Sequence, residues 1–268
     1  MSAFPRLDAA TRQKFVDADA ALVGRPMNLA ENCVPALQAN ARHMALMLLD
    51  GPSPDRASQV AAFAESLIDA SIAAGIAEPI ACGKGCAHCC TTFVSCTFPE
   101  VFRLAQGVRG RAAAEGRVRA AAVRARSMDQ YRREIDRVSC PILEDSACSA
   151  YVQRPVVCRA VLSVSLPRCL EIFRDGRRAD FLYPMGAETI RGYVVMMMRA
   201  ALIAAGMPHQ NYEMTHALEI VLGDETAEAR WLAGEPVFAG VAIDRAELGS
   251  NHFSELATAL ASVVRRTI

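Results

Sequence analysis

Residues 81–97 read ACGKGCAHCCTTFVSCT. The stretch holds two glycines and five cysteines and has no helical period, so it reads as a loop wrapped around something. What surrounds it reads differently. Residues 7–22, 32–49 and 54–74 carry apolar residues at helical spacing, the last with Ser53 as N-cap, Pro54 in the first turn and Gly75 past the end. After the loop, a short helix is expected over 99–106 and a longer one over 111–138. A second irregular, cysteine-bearing stretch spans 139–170. Helical periodicity then returns over 186–205, 212–222, 226–233 and 252–266. Strands do not alternate with these helices, and residues 156–157 and 161–164 leave room for a small hairpin at most. The expected fold is all-α: a helical domain in which two irregular cysteine-rich segments converge on a metal site. It is organised as N-terminal helices (1–80), a cysteine-cluster region (81–175) and C-terminal helices (176–268), packed as one domain.

Composition agrees with that reading. The 268 residues are 52% hydrophobic and only 6% aromatic, so the chain can bury a core of mostly aliphatic side chains. The 29 basic and 29 acidic residues cancel, which argues against affinity for nucleic acid or an anionic membrane. The most apolar stretch, 193–205, is short and interrupted by Arg199, and residues 1–14 carry no signal-peptide run. A cytoplasmic location is expected, where thiols stay reduced. Ten cysteines there favour metal binding or catalysis over a disulfide framework.

Nine of the ten cysteines lie between 82 and 169. Cys82, Cys86, Cys89 and Cys90 form the first group, spaced C-x3-C-x2-C-C. Cys140, Cys148, Cys158 and Cys169 form the second. Metal–thiolate bonds of about 2.3 Å require ligands to converge on one point, which short spacings in a curling loop allow. Gly83 and Gly85 remove Cβ atoms where that loop must turn. Neighbouring side chains diverge, so Cys89 and Cys90 are not expected to serve one metal together. Cys96 reads as a spare thiol or a ligand, Cys33 as a core residue in a helix, and His88 as a bystander.

C-x3-C-x2-C is the spacing by which radical-SAM enzymes hold three irons of a 4Fe-4S cluster, and a distant cysteine such as Cys148 or Cys158 can complete such a set. Zinc sites more often pair two C-x2-C knuckles, and this chain has one. The preferred cofactor is therefore a 4Fe-4S cluster, with Zn2+ the alternative. A radical-SAM barrel does not fit, because the following residues do not alternate strand and helix.

The second group adds Cys140-Pro141, Cys148, Arg154-Pro155, Cys158-Arg159 and Cys169. With the first group this resembles the CxxCxxCC family of zinc- or iron-chelating cysteine-cluster proteins (YkgJ-like), over roughly residues 80–170. The spacing between Cys82 and Cys86 departs from the family name by one residue. Flagellin lysine N-methylases are similar in the same cysteines. The resemblance implies eight metal ligands: Cys82, Cys86, Cys89, Cys90, Cys140, Cys148, Cys158 and Cys169. Arg154 and Arg159, flanking Cys158, are candidate cofactor-binding residues, because guanidinium donors offset thiolate charge.

Three functions follow as expectations: a redox or substrate-activating metalloprotein, a cluster-dependent methyl- or group-transferase using S-adenosylmethionine, or a structural zinc interaction module. The partner would be an unidentified protein or small molecule. Nine arginines between 109 and 137 face only four acids and read as a solvated helix face paired with acids of the C-terminal part. In Met196-Met197-Met198 at least one residue is expected in the core. His209 and His216 are not read as ligands.

Overall fold

A computed structural model describes residues 7–128, 132, 136–174, 181–244 and 251–268. The described residues are mostly helical. Three helices open the chain: α1 (Ala9–Asp19), α2 (Val34–Asp50) and α3 (Arg56–Gly75). After the first cysteine loop come the two-residue strand β1 (Ser95–Cys96), α4 (Phe98–Val108) and α5 (Ala112–Ala125). The second cysteine segment holds the strands β2 (Leu143–Glu144) and β3 (Ala147–Cys148) and the short helices α6 (Val156–Ala160) and α7 (Leu166–Cys169). The C-terminal part comprises α8 (Ala187–Ala204), β4 (Tyr212–Glu213), α9 (Met214–Gly223), α10 (Ala227–Leu232) and α11 (Asn251–Arg265). No described helix is long and apolar enough to cross a membrane.

Helix α8 is the axis of the core. It packs against α2, α3, α6 and α11, so it is covered on nearly every side. A helix covered all round is apolar all round. That is why Met196, Met197 and Met198 are all buried, where sequence required only one to be. Arg199 is buried in the same helix, its Nε donating to the carbonyl of His209 at 3.2 Å. Close approach of α11 is possible because α8 has Gly192 there: a Cβ would lie 2.4–2.9 Å from ring carbons of Phe253.

Helix α4 anchors the second half of the core. Its N-cap, Thr97, and Glu100 form a capping box in which the Glu100 carboxylate accepts from Thr97 N and Oγ1, both at 2.8 Å. One cluster of aromatic residues forms around it. Phe98 stacks between Tyr212 and Phe238, at centroid distances of 3.9 and 3.7 Å, with Trp231 edge-on at 6.2 Å.

The strands lie elsewhere than the sequence suggested. Val156 and Val157 open helix α6, with Pro155 at its N-cap position, and the hairpin is β2–β3, pairing Leu143 with Cys148. Asp145 and Ser146 form its two-residue loop, with φ of 46° and 61°, as a type I′ turn requires. β1 pairs antiparallel with β4, joining Ser95 to Glu213 and Cys96 to Tyr212. Helix α3 begins at Arg56 with Asp55, not Ser53, at its cap; the Ser53 hydroxyl donates to the Asp55 carboxylate. Cys33 sits one residue before α2, partly buried, its thiol donating to the Asn28 carbonyl at 2.9 Å. Of the arginine-rich stretch, Arg126 pairs with Glu219 of α9 at 2.7 Å and Arg109 donates to the Val221 carbonyl at 2.8 Å. The expected helix over 111–138 is helical through 125; residues 129–131 and 133–135 lie outside the described residues.

Candidate metal centre

The first cysteine loop is shaped by its own backbone. Gly85 takes φ of +94°, a value glycine adopts without strain. Cys86 N donates to the Gly83 carbonyl, and a 3-10 turn over His88–Thr91 follows, in which Cys90 N donates to the Ala87 carbonyl, each at 3.0 Å. Within that turn the neighbouring Cys90 side chain, and then burial, push the Cys89 thiol well above its ordinary range.

Two backbone ties join the loop to the second segment. Cys140 N donates to the Cys90 carbonyl at 2.7 Å, and Ala81 N to the Ser163 carbonyl at 2.8 Å. Ser163 N in turn donates to Cys82 Sγ at 3.3 Å. The second segment presents its own cysteines from short elements: Cys148 from the hairpin, Cys158 from α6, and Cys169 from the end of α7. Burial raises the Cys82, Cys148 and Cys158 thiols above their ordinary value, and neighbouring thiols add to the effect at Cys82 and Cys158.

Seven of the eight expected ligands line a single cavity of about 390 Å³: Cys82, Cys86, Cys89, Cys90, Cys140, Cys148 and Cys158. Cys169 is buried and close enough to Cys82 to affect it, but does not line the cavity. Cys96 is 1% exposed and belongs to the core. His88 is not on the cavity wall. In donor chemistry the cavity fits a thiophilic metal. In placement, no three or more His, Cys, Asp or Glu side chains among the described residues are arranged to hold one metal ion.

The two arginines differ in what they touch. Arg154 lies over the Tyr151 ring, 3.7 Å from its centroid, close enough to Cys89 and Cys148 to favour their thiolates. Its Nε is buried with no hydrogen-bond partner among the described residues. Arg159 is 5% exposed and its donors are taken up by the fold. It pairs with Glu65 at 3.2 Å and with Asp69, and donates to the carbonyls of Val152 and Arg154, the latter at 2.9 Å.

Glu65 and Asp69 are the residues that sequence reading passed over. Both lie on α3, and Asp69 lines the cavity. Glu65 is 3% exposed; burial first, against the pull of Arg159 and Arg103, raises its carboxyl to about 7. A signal was present: Glu65 falls at i, i+3, i+7 with Ile68 and Ile72, inside the apolar stripe. The Glu100 carboxylate, beyond capping α4, accepts from Val156 N at 3.0 Å, so the helix carrying Cys158 is held by buried carboxylates from α3 and α4. Comparison with family models, with curated proteins and with solved structures gives no match.

Proposed function

We propose that this protein is a cysteine-cluster metalloprotein of the CxxCxxCC type, with thiolates from residues 82–90 and 140–169 holding a 4Fe-4S cluster or, as the alternative, zinc. The observation that carries this reading is the seven cysteines on one cavity wall, drawn from two segments tied by the Cys140–Cys90 backbone bond. Four thiols within nine residues are not what a helical core would concentrate, and seven around one cavity are not needed for packing. Cys82, Cys86 and Cys89 supply the first-segment donors, and Cys140, Cys148 and Cys158 the second. Arg154, beside Cys89 and Cys148, offsets part of the thiolate charge. Arg159 acts at one remove, fixing α6 and with it Cys158. The bound group would supply redox or Lewis-acid chemistry next to an apolar wall.

A cavity of this size favours a substrate-handling role, including group transfer from S-adenosylmethionine, over a structural zinc module, because structural zinc sites are closed around the ion. The test is anaerobic purification followed by visible spectroscopy and assay of iron, acid-labile sulfide and zinc. A broad charge-transfer band with stoichiometric sulfide supports the cluster and sinks the zinc reading. Tightly held zinc in a colourless protein does the reverse. Protein that binds neither, after reconstitution with each, refutes both.

A further inference from the structure

The cavity is larger than its thiols require. At about 390 Å³ it falls within the roughly 300–1,000 Å³ typical of small-molecule sites. Beside the cysteines its wall is mostly aliphatic, with Ile72, Ile80, Ile142, Val161 and Leu162 among the lining residues. Apart from the thiols and Tyr151, three ionisable side chains line it: Asp69, Arg154 and Arg159. Two of these already satisfy each other. Arg159 pairs with Asp69 and uses its remaining donors on Glu65 and two carbonyls. Arg154 makes no side-chain hydrogen bond among the described residues; stacking on Tyr151 fixes its plane, and its buried Nε lacks an acceptor. An acceptor brought into the cavity would supply this guanidinium with the partners it lacks.

We infer that this cavity binds a small organic monocarboxylate with an apolar body, its carboxylate held by Arg154 and its hydrocarbon part against the aliphatic wall. The charge balance selects the class. Arg159 is held between Asp69 and Glu65, so Arg154 is the cavity-lining cation that no carboxylate pairs with among the described residues, which suits a monoanion better than a phosphate dianion beside Asp69. The planar guanidinium matches a carboxylate in geometry. This deepens the metalloprotein reading, on which it rests for what the thiols would do to the ligand, but binding itself requires only Arg154 and the wall.

Hexanoate and 1-hexanol are suitable probes, sharing a chain and differing in charge. Calorimetric titration of the whole protein, with its metal content measured on the same preparation, should show hexanoate binding at least about tenfold tighter than hexanol, the contribution of one charge-assisted pair. Arg154→Gln should bring hexanoate down to the level of hexanol and leave hexanol unchanged, while Arg126→Gln, remote from the cavity, alters neither. Arg154→Lys, which keeps the charge but not the fork, should fall between. Equal affinity for the two probes in the wild-type protein, or binding of neither, overturns the inference without any variant. So does a preference for hexanoate that survives Arg154→Gln. Metal-loaded protein with no such preference sinks this inference alone; metal-free protein with the preference intact supports it and counts against the metal reading.

Discussion

Replacing Arg159 with Met keeps the bulk of the side chain and removes its charge. The cost can be worked out from the partners left behind. Asp69 is 52% exposed and can be rehydrated, so its share is at most about 1 kcal/mol. Glu65 cannot be: it is 3% exposed, its Oε1 has no partner among the described residues, and Oε2 would keep only Arg103 at 3.4 Å. Glu65 escapes by taking a proton, which for a carboxyl at about 7 costs about 1.4 kcal/mol at pH 8, and the Val152 and Arg154 carbonyls, which lose their donor, add about 1–3 kcal/mol each. Urea unfolding followed by circular dichroism should therefore show a loss of about 3–5 kcal/mol at pH 8, where Glu65 is ionised in the wild-type protein. At pH 5 the Glu65 carboxyl is neutral in both proteins and the loss should shrink by about 1 kcal/mol. The double variant Arg159→Met/Glu65→Gln should recover at least about 1 kcal/mol of the pH 8 loss, the coupling expected of contacting groups. A loss below about 1 kcal/mol, or one equal at pH 5 and pH 8, would refute the assignment of Arg159 as the counter-charge that holds α6.

Glu65 also predicts a pH dependence for the unaltered protein. Its folded-state carboxyl, raised from 4.5 to about 7, holds its proton where the unfolded chain has released it, so stability is highest below 4.5 as far as this group is concerned and falls as pH rises to 7, by up to about 3 kcal/mol; Glu65→Gln should flatten that segment of the profile in urea titrations. Gly192→Ala should lower the melting temperature by several degrees, since the new methyl meets the Phe253 ring, and Gly192→Ala/Phe253→Leu should regain part of it. Cys96→Ala should leave metal content unchanged and cost about 1 kcal/mol of stability, whereas Cys89→Ser should strip the metal; metal analysis of the two purified variants decides, and metal loss from Cys96→Ala would mean that the ligand set is wrong.

Helices were legible because burial imposes a 3.6-residue period on apolar positions. The stretch expected as 54–74 is Arg56–Gly75 and that expected as 186–205 is Ala187–Ala204. The short pieces were less so. A run such as Val156-Val157 suits a strand or a buried helix equally, and what decides for helix is Pro155 before it and Glu100 accepting from Val156 N, a contact from far along the chain. The β2–β3 hairpin had only Asp145-Ser146 to announce it, a weaker turn signal than Asp-Gly. At the site, the clustering of cysteines in sequence pointed to the cavity that seven of them line, and adjacency alone did not reveal that Cys96 faces the core. Arg154 and Arg159 looked alike in sequence. Their difference depends on Glu65 and Asp69, some ninety positions earlier on α3, which no local pattern connects to them.

The β1–β4 pairing has a consequence for the order of events during synthesis. The exit of the first cysteine loop is closed by Val94, whose carbonyl accepts from Met214 N, and by Ser95 and Cys96 paired with Glu213 and Tyr212. Those partners emerge from the ribosome only after both cysteine segments have been made, and contacts so distant in sequence form late. The nascent chain therefore exposes all eight clustered thiols before the strand that seals the loop exists. On the proposed function, metal delivery and oxidative damage would compete in that interval, and the outcome would be set by the rate of translation as well as by the affinity of the finished site.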